Sequence, residues 1–525
     1  MTGQASNSDE VFDVVVLGAG SAGAVVAARA SEDPNLSVLV VDAGPDYDRI
    51  RDTPYDLVNS YHNSVADHDW KHSYQPTAEA PSTAFPRGRV TGGSSAVNTA
   101  IALRGVPEDY DGWAEQGNTE WAWEKVLTAF KRLERDLDYP DAPHHGDAGP
   151  ILIRRYPQDE LTETHQAWMQ TAENLGFPRL DDQNAPEGSG YGPQPMNKLA
   201  RLRVSTAIGY LAPARIRPNL AVRGDTHVRR LVVEGGRVVA AEVEAVGPDG
   251  PTGQVSLIRG RLFVLSAGAI QTPPVLLRSG IGPRRELERL GVPLVADVPG
   301  VGENLCDHPA IGVICELKDP SLASATMPLI QTIMRYTAPG SEHRNDLQVE
   351  LITWVQREGR EGAISISAVL EQSYGRGYVR LPSADPHAQP VVEQHFCEDD
   401  RDTARLVANV RDCFAFAEAR PLADYIERVT FPDPTRGLDD ESLTRLVRRF
   451  ARSGYHPCGT AKMGPAEDPM AVVDQYGRAH AVAGLVVADA SIMPEVPRAN
   501  TNLTSIMIGE RIGEWIRTRK GDYGL

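Results

Sequence analysis

The first clear apolar run, Phe12-Asp13-Val14-Val15-Val16-Leu17, is rich in β-branched residues and predicts a buried strand. A glycine-dense stretch, Gly18-Ala19-Gly20-Ser21-Ala22-Gly23, follows it directly. Ala22 to Ala30 then reads as an alanine-rich helix, and Leu36-Ser37-Val38-Leu39-Val40-Val41 as a second buried strand. Together these pieces form one βαβ unit, the building block of a parallel sheet.

Farther along, positions 222–246 alternate apolar and polar residues around Glu234-Gly235-Gly236-Arg237, a hairpin pattern, and Leu262-Phe263-Val264-Leu265 is another continuous buried strand. Residues 46–87 break into a polar stretch rich in Tyr, His and Asp, and glycines, prolines and charges return from about 140 to 200. Both read as excursions into a second lobe. Between 311 and 455, strand-like Gly362–Ser367 and Gly377–Leu381 precede helical stretches near 402–418 and 440–452, which predicts an α+β lobe. The last helix, about Asn502 to Arg519, has an apolar stripe at Leu503, Ile506, Met507, Trp515 and Ile516, and polar Asn500-Thr501 stand where they can cap it. No internal repeat is evident.

A chain of 525 residues exceeds one ordinary core, so two or three packed units are expected. No apolar run approaches the roughly 20 residues of a membrane helix. The start, Met1 to Glu10, is polar and acidic without the features of a secretory signal, and reads as a short loose tail on a cytoplasmic protein. Asp plus Glu (71) exceed Lys plus Arg (53), a net charge of −18 that repels nucleic acid and anionic membranes. Five cysteines (Cys306, Cys315, Cys397, Cys413, Cys458) show no CxxC or Cys/His spacing, so reduced thiols and no structural metal are expected.

The glycine turn carries the first chemistry. Gly18 permits the strand-to-helix reversal, Gly20 lets a pyrophosphate approach the backbone, and Gly23 lets the helix pack on the strand. The helix then offers its positive N-terminus to phosphates. Asp42, 19 residues after Gly23, is placed to accept hydrogen bonds from a ribose. This pattern predicts an ADP-containing dinucleotide but suits NAD as well as FAD.

Two further segments bear on that choice. Gly88-Arg89-Val90-Thr91-Gly92-Gly93-Ser94-Ser95-Ala96-Val97-Asn98 is dense in glycine and hydroxyls, and Gly268-Ala269-Ile270-Gln271-Thr272-Pro273-Pro274 through Gly282 follows a buried strand. With them the chain resembles the glucose–methanol–choline (GMC) family of FAD-dependent oxidoreductases, whose two signature segments match these stretches almost throughout. Val298-Pro299-Gly300-Val301-Gly302-Glu303-Asn304-Leu305-Cys306-Asp307-His308-Pro309 and the C-terminal region also match. Thr91 departs from the usual aliphatic residue, which bears on local packing. In length the chain resembles compact bacterial oxidases of hydroxymethylfurfural-like aryl alcohols, and the choline dehydrogenase-like members are also similar.

The resemblance implies an α/β fold: a Rossmann-like FAD-binding domain of residues 11–45, 88–140, 205–310 and 456–525, with an inserted α+β substrate-binding domain of 46–87, 141–204 and 311–455. It implies FAD contacts from Gly18, Gly20, Ser21, Ala22, Gly23, Asp42 and Ala43 around the turn. Arg89, Gly92, Gly93, Ser94, Asn98 and Thr99 would contribute from the first signature, and Val228 and Ala267 from the middle of the chain. Asp489 and Ala490, in Gly484-Leu485-Val486-Val487-Ala488-Asp489-Ala490-Ser491, would lie near the pyrophosphate and ribityl chain, with Thr501 and Asn502 at the last helix. Some members tether the flavin through a histidine in the first signature; Val97 stands there, so the FAD is expected to be non-covalent.

Gly454-Tyr455-His456-Pro457-Cys458-Gly459 looks like the family's catalytic-histidine segment. A neutral imidazole suits abstraction of a hydroxyl proton near pH 7, and Pro457 restrains the histidine backbone. The family's second position, His or Asn, falls on Asn500, an amide that can donate a hydrogen bond to the substrate oxygen but cannot act as a base. The last helix, aimed at the flavin as in the family, would stabilise the reduced anion. The implied reaction passes the proton of a small CH–OH substrate to His456 and its hydride to flavin N5. Reoxidation would be by oxygen or another acceptor. A hydroxynitrile lyase-like activity on the same scaffold and an NAD-dependent dehydrogenase are the alternatives.

Overall fold

The computed structural model describes residues 10–355, 362–436 and 438–525; the tail expected at residues 1–10 lies, up to residue 9, outside the described residues. The expected βαβ unit forms with strand Val11–Leu17, helix Gly23–Ala30 and strand Val38–Val41. Gly18 makes the reversal with φ at +105°, and a Cβ there would stand 2.3 Å from the Ser266 carbonyl oxygen. Only glycine fits such a position without strain.

The first sheet has seven strands in the order Leu220–Arg223, Val38–Val41, Val11–Leu17, Gly250–Leu265, Arg237–Gly247 and Thr226–Glu234, with Leu485–Val487 also on Gly250–Leu265. The apolar run at Leu262–Leu265 is the buried end of this longer strand, whose beginning is exposed. That strand serves two neighbours. Its first part pairs antiparallel with Arg237–Gly247, completing the hairpin meander, and its buried end runs parallel to both Val11–Leu17 and Leu485–Val487.

The second sheet is antiparallel: Ile426–Phe431, Pro309–Leu317, Ala363–Leu370, Leu347–Ile352, Thr332–Tyr336 and Gly190–Pro193, with Arg452–Ser453 beside Pro309–Leu317. Helix Asp400–Glu418 packs against its central strands. Leu347, Val349 and Leu351 share an apolar core with Leu406 and Val410 of that helix, as the two-residue period of a strand covered on one face requires. Gln348, Glu350 and Ile352 alternate to the other face and line a cavity between the two sheets.

Helix Thr501–Thr518 crosses helix Gly23–Ala30 through small residues. A Cβ on Gly509 would lie 2.6 Å from the Ala22 carbonyl oxygen, and one on Gly513 would lie 2.8 Å from Arg29 Cβ. The close crossing brings the start of the last helix to the glycine turn, where the Ser21 hydroxyl donates to Asn502 Oδ1 at 2.9 Å. Fully buried Glu510 locks the crossing by accepting from Arg29, Arg132 and Tyr210. Among the described residues no helix is long and apolar enough to cross a membrane.

Candidate active site

A cavity of about 470 Å³ runs from the glycine turn to the His456 loop. Gly18, Gly20, Ser21, Ala22, Asp42 and Ala43 line one end. Gly93, Ser94, Asn98, Thr99, Val228 and Ala267 line its sides, as do Asp489, Ala490, Thr501 and Asn502; His456 and Asn500 stand on its wall. Three anticipated positions do not line it. Gly23 serves packing, since a Cβ would fall 2.0 Å from the Gly18 carbonyl oxygen. The Gly92 amide donates to the Ala19 carbonyl at 2.8 Å, tying the first signature to the turn. Arg89 donates through Nε to the Ala43 carbonyl at 3.3 Å, with its guanidinium over the Trp70 ring.

The turn end suits an anion. Among the described residues, the backbone N–H groups of Gly20, Ser21 and Ala22 have no acceptor, and they sit at the N-terminus of helix Gly23–Ala30. Asp42, at the end of its strand, accepts from the Ala19 and Gly44 amides, each at 2.9 Å, and burial pushes its carboxyl up to about 7. Asp489 is also buried, which raises its pKa. It accepts from the Gly268 amide at 2.9 Å, the Thr272 hydroxyl at 2.6 Å and the Ser491 amide at 2.8 Å, so it joins two elements while facing the cavity. Val97 lines the cavity, and the hydroxyl of buried Thr91 has no protein partner.

The His456 loop hangs on the Cys306–His308 segment. Cys306 and Cys458 exchange backbone hydrogen bonds, the Gly454 amide donates to the His308 carbonyl at 2.7 Å, and Asp307 Oδ1 accepts from the His456 amide at 2.9 Å. Asp307 also takes the Ser453 hydroxyl at 2.5 Å and the Gln394 amide at 2.9 Å. Its carboxyl, raised by burial to about 6, organises the loop from below.

The imidazoles form a directed chain. His308 Nε2 lies 3.1 Å from the Pro497 carbonyl, which can only accept, so neutral His308 carries its proton on Nε2 and leaves Nδ1 as an acceptor. His456 Nδ1 is 2.9 Å from that Nδ1 and therefore donates. His456 Nε2 is thereby left with a lone pair, and Asn500 Nδ2 donates to it at 2.9 Å. Burial, then the neighbouring His308 and Arg87, hold His456 well below the usual imidazole range, and burial takes His308 down to about 3. Both rings are neutral at pH 7. The Glu371 carboxyl lies 3.4 Å from His308 Nδ1, and burial raises its pKa above the ordinary carboxylate range.

Asn500 precedes the last helix without making the side-chain cap its position allows. Its amide turns to His456 instead, and its Oδ1 is buried without a protein partner. This end of the cavity therefore offers one basic nitrogen beside one open acceptor.

His308 and Asp307 received no role from the sequence, although they stand in the Val298–Pro309 segment. The available signal was their identity there: a histidine and a carboxylate flanked by proline. From the 46–87 and 311–455 stretches, Asn63, Ser64, Trp70, His72, Gln348 and Glu350 line the cavity.

Comparison with known proteins agrees with this architecture. Residues 12–310 and 373–509 match the two family models of GMC oxidoreductases. The chain is 35% identical over 545 residues to 5-(hydroxymethyl)furfural oxidase of Methylovorus sp. (strain MP688), covering 98% of this chain and 100% of that protein. It is 35% identical over 530 residues to choline oxidase of Arthrobacter globiformis, covering 98% and 95%. Among solved structures, pyridoxine 4-oxidase from Mesorbium loti superposes with a TM-score of 0.87 at 28% identity, covering 96% of this chain and 98% of that one. The chain belongs to the GMC oxidoreductase family, with its fold, and is an oxidoreductase.

Proposed function

We propose that this enzyme holds FAD non-covalently in the cavity and oxidises a primary or secondary alcohol to an aldehyde or ketone. The observation that carries this reading is the lone pair of His456 Nε2, presented on the cavity wall by the fixed polarity of the His308 chain and flanked by the Asn500 amide. The residues present fit the cofactor. Unpartnered N–H groups at Gly20, Ser21 and Ala22 suit a pyrophosphate, Asp42 suits a ribose, and glycines keep the walls clear. Ser94, Asn98, Thr99, Val228, Ala267, Asp489, Ala490, Thr501 and Asn502 would line the rest of that ligand. Val97 offers no nucleophile for a covalent link.

Bound FAD supplies the two-electron acceptor. His456 Nε2 accepts the hydroxyl proton of the substrate, and Asn500 moves its donor from His456 to the substrate oxygen as that oxygen docks. His308 keeps the imidazole in the productive tautomer, and the protonated His456 disperses its charge toward it. The names of the relatives, an oxidase of hydroxymethylfurfural and one of choline, support an alcohol donor. The first sheet with the glycine turn would be the FAD domain (11–45, 88–140, 205–310, 456–525) and the second sheet the substrate domain (46–87, 141–204, 311–455). Oxygen or another acceptor closes the cycle. An alcohol panel scored by anaerobic flavin bleaching, then by peroxide in air, tests the reading. His456→Ala should abolish bleaching while retaining flavin; failure of every alcohol to bleach the wild type would overturn it.

A further inference from the structure

The second sheet brings to the cavity Ala310, Gln348, Glu350, Ile352, Ser367, Val369 and Ser453. Among these Glu350 alone is ionisable. The register sets its place. Ala310 and Gln348 both pair with Val369, next to Ser453 at the root of the His456 loop, whereas Glu350 pairs with Ser367, two residues farther along the strand, or about 7 Å.

Glu350 is 8% exposed, and its Oε1 accepts from Gln348 Nε2 at 2.7 Å. Among the described residues no Lys, Arg or His pairs with it. The cation nearest in register, Arg335 on the adjacent strand, gives its guanidinium to the backbone carbonyls of Gln183, Arg104 and Arg498. An ionised Glu350 can only accept, which orients the Gln348 amide with Nε2 toward it, and among the described residues Gln348 Oε1 is then buried without a partner. Burial pushes the Glu350 carboxyl up to about 7, the mark of an acid without a counter-charge. Neighbouring Glu371 is raised further by burial and by Glu350, and adds no cation. A buried carboxyl without a cation and a buried acceptor without a donor are each costly to the free protein. Both costs are relieved by one ligand group: a cation carrying N–H donors.

We propose that Glu350 and Gln348 form an ammonium subsite, and that the alcohol this enzyme oxidises carries a protonated primary or secondary amine. The inference rests on the alcohol oxidation proposed above. The carboxylate supplies the charge complement, and Gln348 Oε1 demands an N–H. A quaternary ammonium satisfies the first and leaves the second orphaned, so it is the poorer ligand.

The test compares ω-aminoalkanols with alkanols of matched length and with their trimethylammonium analogues, on holoenzyme of the wild type and of Glu350→Gln. The expected result is a kcat/KM preference of the wild type for aminoalkanol over alkanol on the order of 100-fold, with the trimethylammonium analogue in between, and a ratio near unity in Glu350→Gln. A hydroxyl-free alkylamine should raise the Tm of the wild type and not of the variant. An alkanol preferred by the wild type, a ratio unchanged in the variant, or a quaternary analogue preferred over the primary amine would overturn the subsite. If no alcohol bleaches the flavin, alcohol oxidation fails on its own. The amine-dependent Tm then decides the subsite: a shift lost in Glu350→Gln upholds it, and no shift in the wild type overturns it.

Discussion

Replacing His308 with leucine leaves the volume of the site nearly filled and removes two polar atoms: the donor Nε2, 3.1 Å from the Pro497 carbonyl, and the acceptor Nδ1, which holds the His456 Nδ1 proton at 2.9 Å. Two consequences follow from the surrounding geometry. The His456 Nδ1–H becomes a buried donor without a partner, a loss of about 1–3 kcal/mol. The ring can also shed that penalty by taking the opposite tautomer, whose proton sits on Nε2 and blocks the basic lone pair. Either way the productive form is disfavoured by about 1–3 kcal/mol, which corresponds to a fall of roughly 5- to 150-fold in the rate of flavin reduction. His308→Gln, whose amide oxygen can accept from Nδ1, should recover most of the loss. The assay is anaerobic stopped-flow reduction at saturating alcohol, with flavin content and Tm measured on the same samples. Because His308 reaches the reaction only through His456, the loss should fall on the limiting rate, with the apparent dissociation constant nearly unchanged. A leucine variant that retains flavin and reduces it at the wild-type rate would refute the directed imidazole chain. So would equal losses in the leucine and glutamine variants.

Burial keeps His456 neutral far below pH 6.5, so kcat/KM for an uncharged alcohol should stay flat as pH falls from neutrality through 6.5, without the inflection of an ordinary imidazole. Gly509→Ala should lower stability by about 1–3 kcal/mol in denaturant unfolding, because its Cβ would meet the Ala22 carbonyl oxygen at 2.6 Å, and flavin retention should weaken with the displaced helix. His145 is buried, which opposes its charge, yet Asp182 and Glu134 outweigh that burial and raise its pKa. Its charged form therefore adds stability in full below the unfolded value of about 6.5, and that stability is lost as pH rises through the raised folded value. The Tm difference between wild type and His145→Gln should accordingly shrink on moving from mildly acidic to alkaline pH. Acid precipitation of the holoenzyme should leave the flavin in the supernatant, since Val97 provides no attachment.

Much of the glycine-turn end of the cavity was legible in the sequence because its contacts are local. A β-branched strand, a turn that only glycine can make at Gly18, a small-residue helix and an acid after the next strand lie within one short stretch, and neighbouring residues impose their geometry on one another. The hairpin about Gly235-Gly236 was readable for the same reason. His456 stood out through its own flanking residues, and Asn500 through its place before the last helix.

What turns these pieces into a site comes from residues remote in sequence. The His308–His456 pair exists because the Cys306 and Cys458 backbones meet, and Asn500 reaches His456 because Gly509 and Gly513 let two helices cross closely. The strand Leu347–Ile352 shows the division within six residues. Its alternation assigns Leu347, Val349 and Leu351 to one face and Gln348, Glu350 and Ile352 to the other, as the two-residue period of a pleated strand requires. Local pattern contains no information on what either face meets. Helix Asp400–Glu418 covers the apolar side and leaves the polar side to the cavity, and that choice follows from the register of the second sheet. Tertiary packing alone therefore made an ordinary alternating strand into a wall carrying an acid that, among the described residues, has no cation beside it.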